Sequence, residues 1–330
     1  MTDANPFALL QDIASASCVS RCLHVVANIG VADALDETPR SAADLAEDVG
    51  AHPEALDRVL RLLASHGVFE SRGGTFAHSP ASRMLRSDNP RSMRSYVRLL
   101  GLLPFWDTFR ELEFSVRTGQ LAGDRATPGG LWAYLADNPE ASGIFNAAMA
   151  AKAQGALAAI VGAYDFSPYL VIGDIGGGRG HLLQAVLERA PSASGVLFDQ
   201  PRVIAEVTGI ASDRLTLQGG DFFKDKLPVC DLYMVMEVIH DWGDTESIAI
   251  LSAIRRAAPA GAKLLLIETM IPDTPGPDWS RTLDILMLSL IGGKQRTQEE
   301  YAKLLAASGF DFQREIGTGA QVSILEAVAA

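Results

Sequence analysis

Hydrophobic positions change their spacing along this chain of 330 residues, and each change predicts a different kind of element. Residues 7–35 carry few charges around the helical circumference, which predicts a helix buried on several sides. Ser41-Ala-Ala-Asp44 begins like a capping box and opens a short helix to Val49, followed by a Gly50–Pro53 turn. Leu56, Val59, Leu60 and Leu63 then recur at helical spacing until Gly67 closes the second helix. Val68–Ser71 and Thr75–His78 flank Arg72-Gly-Gly74 and predict a β-hairpin. Helix, turn, helix and hairpin together read as a winged helix-turn-helix. Ser92–Tyr164 is helical again, interrupted at Gly123–Gly130, with Asn138-Pro139 opening a long helix that places Phe145 and Met149 on one face beside Asn146. From Leu170 the pattern alternates β and α, as a doubly wound sheet requires, with strands expected at 170–174, 195–199, 214–218, 231–236 and 262–268. The tail, 312–316 and 321–328 around Gly317-Thr-Gly319, reads as a closing antiparallel hairpin.

Composition narrows what these elements do. A chain that is 48% hydrophobic and 21% charged can build a sizeable core. The formal net charge of −12 argues against a general polyanion binder. Residues 1–90 alone hold seven Arg, no Lys and twelve acidic residues, a balance of −5 that speaks against operator DNA despite the helix-turn-helix. Met1–Asn5 lacks a basic leader, and the apolar run 13–35 carries Arg21, His24, Asn28 and Asp33, so no membrane partner is expected. Cys18, Cys22 and Cys230 form neither a disulfide framework nor a zinc spacing, which predicts a cytoplasmic protein without a metal.

Chemistry enters at Val171–Gly180, where an apolar run ends in Asp174 and Gly176, Gly178 and Gly180 precede a helix. Strand, glycine turn and helix expose backbone N–H groups to a ligand. A dinucleotide fingerprint beginning at Gly176 needs glycine at 181, where the chain has histidine, so a nicotinamide-dependent oxidoreductase is disfavoured. The spacing G-x-G-x-G resembles the first motif of S-adenosylmethionine-dependent methyltransferases. Asp199 ends the next strand and can accept from ribose hydroxyls, or simply form a turn into Pro201. Asp221 and Phe222 follow the third strand and suit an adenine edge and face. His240, just beyond the fourth strand in His240-Asp241-Trp242, suits general-base work, with Glu268 ending the neighbouring strand.

Taken together these motifs resemble the small-molecule O-methyltransferases of the caffeic-acid and acetylserotonin type, in their bacterial natural-product branch. The resemblance rests on Phe145–Met149, Asp174–Gly178, Phe198-Asp199, Gly220–Phe222, His240–Trp242, Glu268 and Gly292–Thr297. It implies a Rossmann-like S-adenosylmethionine-binding α/β domain at 166–330, a winged-helix dimerisation domain at 1–95 and a helical linker at 96–165. It also implies a homodimer joined through the N-terminal domain, and S-adenosylhomocysteine as product. Gly176, Gly178, Asp199, Asp221, Phe222 and Trp242 would bind the cofactor. Phe145, Asn146, Met149, Asp241 and Met287 would face the acceptor, an aromatic small molecule. His240 would be the base and Glu268 its partner. Gln295 stands where the family commonly has a second glutamate, so an amide replaces a carboxylate beside the base. The rival reading outside enzymology is a ligand-responsive transcription factor built on the winged helix.

Overall fold

A computed structural model of the protein describes residues 5–330. The first four residues of the segment read above for a leader lie outside the described residues. The chain divides into two compact units: Met1–Asp107 with Trp132–Lys152, and Thr108–Leu131 with Ala153–Ala330. This differs from the three consecutive segments expected from sequence. The helical stretch is shared between both units, because 108–131 packs with the C-terminal part and the break within helix Pro139–Ala163 falls at residue 152.

In the first unit the expected long helix ends early. Gly30 takes a left-handed conformation (φ 80°) and caps Pro6–Ile29, and a separate turn Val31–Ala34 follows. Helices Ala42–Val49 and Pro53–Ser65 form as the pattern indicates, the first capped by the Ser41 side chain accepting from Asp44 N. Strands β1 (Arg40–Ser41), β2 (Phe69–Arg72) and β3 (Thr75–His78) make a small antiparallel sheet in the order β1-β3-β2. Its core gathers Val31, Leu35, Leu45, Leu60, Leu63, Phe69 and Phe76.

In the second unit β4 (Val171–Ile175), β5 (Ser194–Asp199), β6 (Leu215–Gly219), β7 (Leu232–Met236), β8 (Lys263–Glu268), β9 (Phe310–Gly317) and β10 (Ser323–Ala329) form one sheet. The order is β6-β5-β4-β7-β8-β10-β9. The first five run parallel, and β10 lies antiparallel between β8 and β9, as the tail hairpin predicts. Along β7 and β8 alternate residues serve opposite faces. Tyr233, Val235, Leu264 and Leu266 enter one core, while Leu232, Met234, Leu265 and Ile267 enter the other. Strand order reverses direction at β4, with β5 on one side and β7 on the other, and that switch point opens a crevice at the strands' C-terminal ends.

Among the described residues one helix, Pro139–Ala163, is long and apolar enough to cross a membrane by length and composition. It is not the run considered above, and its Ala156, Ile160 and Val161 pack into the core shared with β4.

Candidate active site

The turn after β4 can be built only from small residues. Gly176 and Gly178 have φ of 72° and 57°, and a side chain at Gly177 would collide with Asp174 and Leu197. Gly178 N donates to Asp199 Oδ2 at 2.8 Å, tying the end of β5 to the glycine loop, and Gln200 N donates to Oδ1 at 2.6 Å. Asp199 therefore turns the chain toward Pro201, and its carboxylate lies beside the glycine loop. Behind it Asp174 is wholly buried. Burial first, and then the charge of Asp199, push its pKa up to about 7, while the Leu183 N–H pulls the other way without completing a hydrogen bond.

Asp221 receives Phe223 N on Oδ1 at 2.9 Å and the Lys224 ammonium on Oδ2 at 2.7 Å, and the Lys224 contact holds its pKa below the usual range. Phe222, Phe223 and Trp242 stand edge to face, with ring centroids 4.8, 5.0 and 6.0 Å apart. Of these, Phe223 was not singled out from sequence. The loops after β4, β5, β6 and β7 thus present a bare-backbone turn, two carboxylates and an aromatic wall, a set that fits the sugar, base and cationic end of an adenosyl sulfonium ligand.

β7 ends in Met236, Glu237 adopts φ 51°, and Ile239–Asp241 form a single 3₁₀ turn. This turn carries His240 into a buried position. Its Nδ1 lies 3.1 Å from Oε2 of the wholly buried Glu268, and its Nε2 lies 3.2 Å from Asp241 Oδ1. Glu268 Oε1 also accepts from Ile239 N at 3.0 Å, so one carboxylate holds both the ring and the backbone that bears it. Both contacts are ion pairs when the imidazole is protonated, although Glu268 Oε2 completes no hydrogen bond. Burial pulls the His240 pKa down, but Glu268 and Asp241 together outweigh it and raise the value to about 10.

Gln295 is buried with its Nε2 3.0 Å from His240 Nδ1, while its Oε1 has no partner. Such an amide can serve either protonation state, donating through Nε2 to a bare Nδ1 or turning Oε1 toward an N–H. Its main chain is fixed by Gln295 N donating to Asp284 Oδ1 at 2.9 Å, from helix Trp279–Leu290. The same helix supplies buried Met287, whose carbonyl accepts from Gly292 N and Gly293 N. Sequence reasoning passed over Asp284 and Arg296. Arg296 stood in plain view inside the Gly292–Thr297 motif, but nothing in the motif showed that it is wholly buried.

The remaining residues assigned to the acceptor, Phe145, Asn146 and Met149, lie on the part of helix Pro139–Ala163 that belongs to the first unit. That helix buries Ala141, Ile144 and Ala148, leaving Phe145 and Met149 half-buried and Asn146 exposed. Phe145 meets Trp132 edge to face at 5.6 Å. These three are therefore not the core face of their helix.

Residues 109–311 match the model of the O-methyltransferase domain, and residues 11–88 that of the O-methyltransferase dimerisation domain. The chain is 40% identical to the phenazine O-methyltransferase PhzM of Lysobacter antibioticus, covering 94% of this chain and 92% of that one. It is 35% identical to a mitomycin biosynthesis 6-O-methyltransferase of Streptomyces lavendulae, covering 94% and 91%. Among solved structures, human N-acetylserotonin methyltransferase in complex with S-adenosylmethionine superposes with a TM-score of 0.87 at 27% identity, over 100% of this chain and 99% of that one.

Proposed function

From the premise that the chain belongs to the S-adenosylmethionine-dependent O-methyltransferase family, we propose that it methylates a hydroxyl of an aromatic small molecule, with His240 as general base. The observation that carries the reading is the buried imidazole with Glu268 Oε2 3.1 Å from Nδ1 and the half-exposed Asp241 Oδ1 3.2 Å from Nε2. Relatives named for phenazine and mitomycin chemistry support an aromatic acceptor.

When bound, S-adenosylmethionine supplies a methyl group on a sulfonium, already activated for displacement. The glycine loop, Asp199 and Asp221 would hold the cofactor, with Phe222 and Trp242 beside its base. The chain's remaining task is to align the acceptor and remove its proton, because aligned reactants gain most of the available rate. A phenol has a pKa near 10. His240 becomes the base once Nε2 has lost its proton and Asp241 has turned toward solvent, leaving Nε2 to the acceptor hydroxyl. Nε2 takes the proton that the hydroxyl gives up, and Glu268 stabilises the resulting imidazolium from the Nδ1 side of the ring. In this reading Met287 faces the acceptor.

We further propose a homodimer built on the N-terminal unit, with the helix-turn-helix and hairpin serving as a winged-helix scaffold rather than a DNA reader. Phe7, Leu9, Leu10 and Ile13 are more than half exposed on one chain, an apolar strip of the kind that marks an interface. A cytoplasmic location belongs to the same reading, since the methyl donor is an intracellular metabolite. Incubation with S-adenosylmethionine and a panel of phenols, read by mass spectrometry, tests the activity. A methylated ether is the expected product, and the absence of any methylated phenol across hydroxyphenazines, hydroquinones and naphthols overturns the acceptor class.

A further inference from the structure

We infer that Arg296 is a positioning residue for the reaction, clamping the turn that bears His240 against the strand end that bears Glu268. The inference rests on His240 being the base. Arg296 is wholly buried, yet its guanidinium spends most of its donors on one turn. Nη1 donates to Ile239 O at 3.3 Å and Nη2 to Trp242 O at 2.9 Å, so the two residues bracketing His240-Asp241 are held by one planar group. Asp244 Oδ1 accepts from Nε at 3.0 Å and Nη2 at 2.7 Å, and Ser247 Oγ and Lys294 O complete the set.

The backbone of Arg296 is fastened elsewhere. Its carbonyl accepts from Ile271 N at 3.0 Å, and residue 296 forms a parallel bridge with Met270, two residues beyond Glu268. Main chain on the β8 extension and side chain on the β7 turn together set the separation of base and carboxylate. Neighbouring residues reinforce the clamp. Lys294 N donates to His240 O at 2.8 Å, and Gly293 leaves no room for a side chain against that same carbonyl. A lysine here keeps one positive charge but has no planar fork to span two carbonyls and a carboxylate.

The test compares Arg296→Lys, Asp244→Asn and His240→Ala in the full-length protein. Circular dichroism and S-adenosylhomocysteine affinity report folding, and kcat and the pH profile of kcat/KM report the site. Arg296→Lys is expected to lower kcat roughly 10- to 100-fold, since small misplacements of a reacting group cost that much. Affinity for S-adenosylhomocysteine should stay within about twofold, and the acidic limb should move to lower pH as His240 drifts from Glu268. A folded Arg296→Lys with kcat within twofold, or with a lower kcat but an unmoved limb, overturns the clamp. If Arg296→Lys does not fold, Asp244→Asn decides. Its side chain is mostly exposed, and removing its charge should shift the limb the same way by a smaller amount, whereas an unchanged kcat and limb overturn the proposal. Normal turnover in His240→Ala is a separate result, which removes the base and with it any role for Arg296 in positioning one.

Discussion

The side-chain amide of Gln295 lies 3.0 Å from Nδ1 of His240, and both groups are buried. The ring nitrogen that faces a carboxylate from Glu268 thus faces an uncharged group from the strap opposite. Gln295→Glu adds a second negative charge at this contact and favours the imidazolium. The acidic limb of kcat/KM, which reports the free enzyme's base, should move to higher pH. A shift of one unit corresponds to about 1.4 kcal/mol. A pH–rate comparison of the two proteins checks this, and an unmoved limb in a folded, active variant removes Gln295 from the proton's path.

The wild-type limb should itself lie high. Carboxylates at both nitrogens raise the His240 pKa to about 10 in the free protein, so kcat/KM should keep rising through the alkaline range rather than level off near the ordinary histidine value of about 6.5. A plateau beginning near pH 7 would mean that His240 titrates close to its ordinary value and that the two carboxylates do not hold its proton.

His240→Ala should lower kcat by roughly 10²–10⁴, the range for losing a general base. S-adenosylhomocysteine affinity should barely change, because the proposed role has the imidazole act on the acceptor and not on the cofactor. Calorimetry and steady-state rates on the same preparation separate the two effects.

Asp199→Ala removes the acceptor for Gly178 N and Gln200 N, and with it the carboxylate proposed to hold the cofactor. Hydrogen bonds to charged groups contribute about 1.5–3 kcal/mol, so S-adenosylhomocysteine affinity should fall about 10- to 100-fold. NAD should not bind either protein, and calorimetry that finds NAD binding instead of S-adenosylhomocysteine binding would reverse the assignment of the loop.

Asp174 links pH to stability. Its pKa is raised by burial to about 7 in the folded chain against about 3.9 unfolded. A raised folded value gives stability that is complete below pH 4 and is lost as pH rises through 7. Asp174→Asn abolishes that loss. Its melting temperature without ligand should therefore exceed the wild type's by more at pH 8 than at pH 5, and an equal difference at both pH values would show that the carboxyl ionises without penalty.

Leu10→Asp and Ile13→Asp place charge on the exposed apolar strip of the first helix. Light scattering at micromolar concentration should report a dimer for the wild type and a shift toward monomer for the double variant. A wild-type monomer would assign the strip to another partner.

Much of this molecule is decided by local sequence. Glycines at 176 and 178 announce backbone that other residues cannot adopt. Apolar runs ending in Asp199 and Glu268 announce strands whose last residue reaches the crevice, and observed strand ends differ from the expected ones by only one or two residues. Periodicity suffices there because a buried parallel strand and a glycine turn each impose a constraint within a few residues. Where constraints act across the chain, the sequence was silent. The helix expected to run to 35 stops at Gly30, because one left-handed residue outweighs a continuous apolar pattern. The helical stretch after 96 divides between two units, since membership depends on which core buries each face. Residue type alone marked His240, Glu268 and Gln295 as candidates. Only folding set the ring between two carboxylates and an amide, and only folding buried Arg296 beneath the turn. Those contacts span 28 to 57 positions, apart from the adjacent Asp241, and the desolvation that makes them matter exists only once the strands have packed.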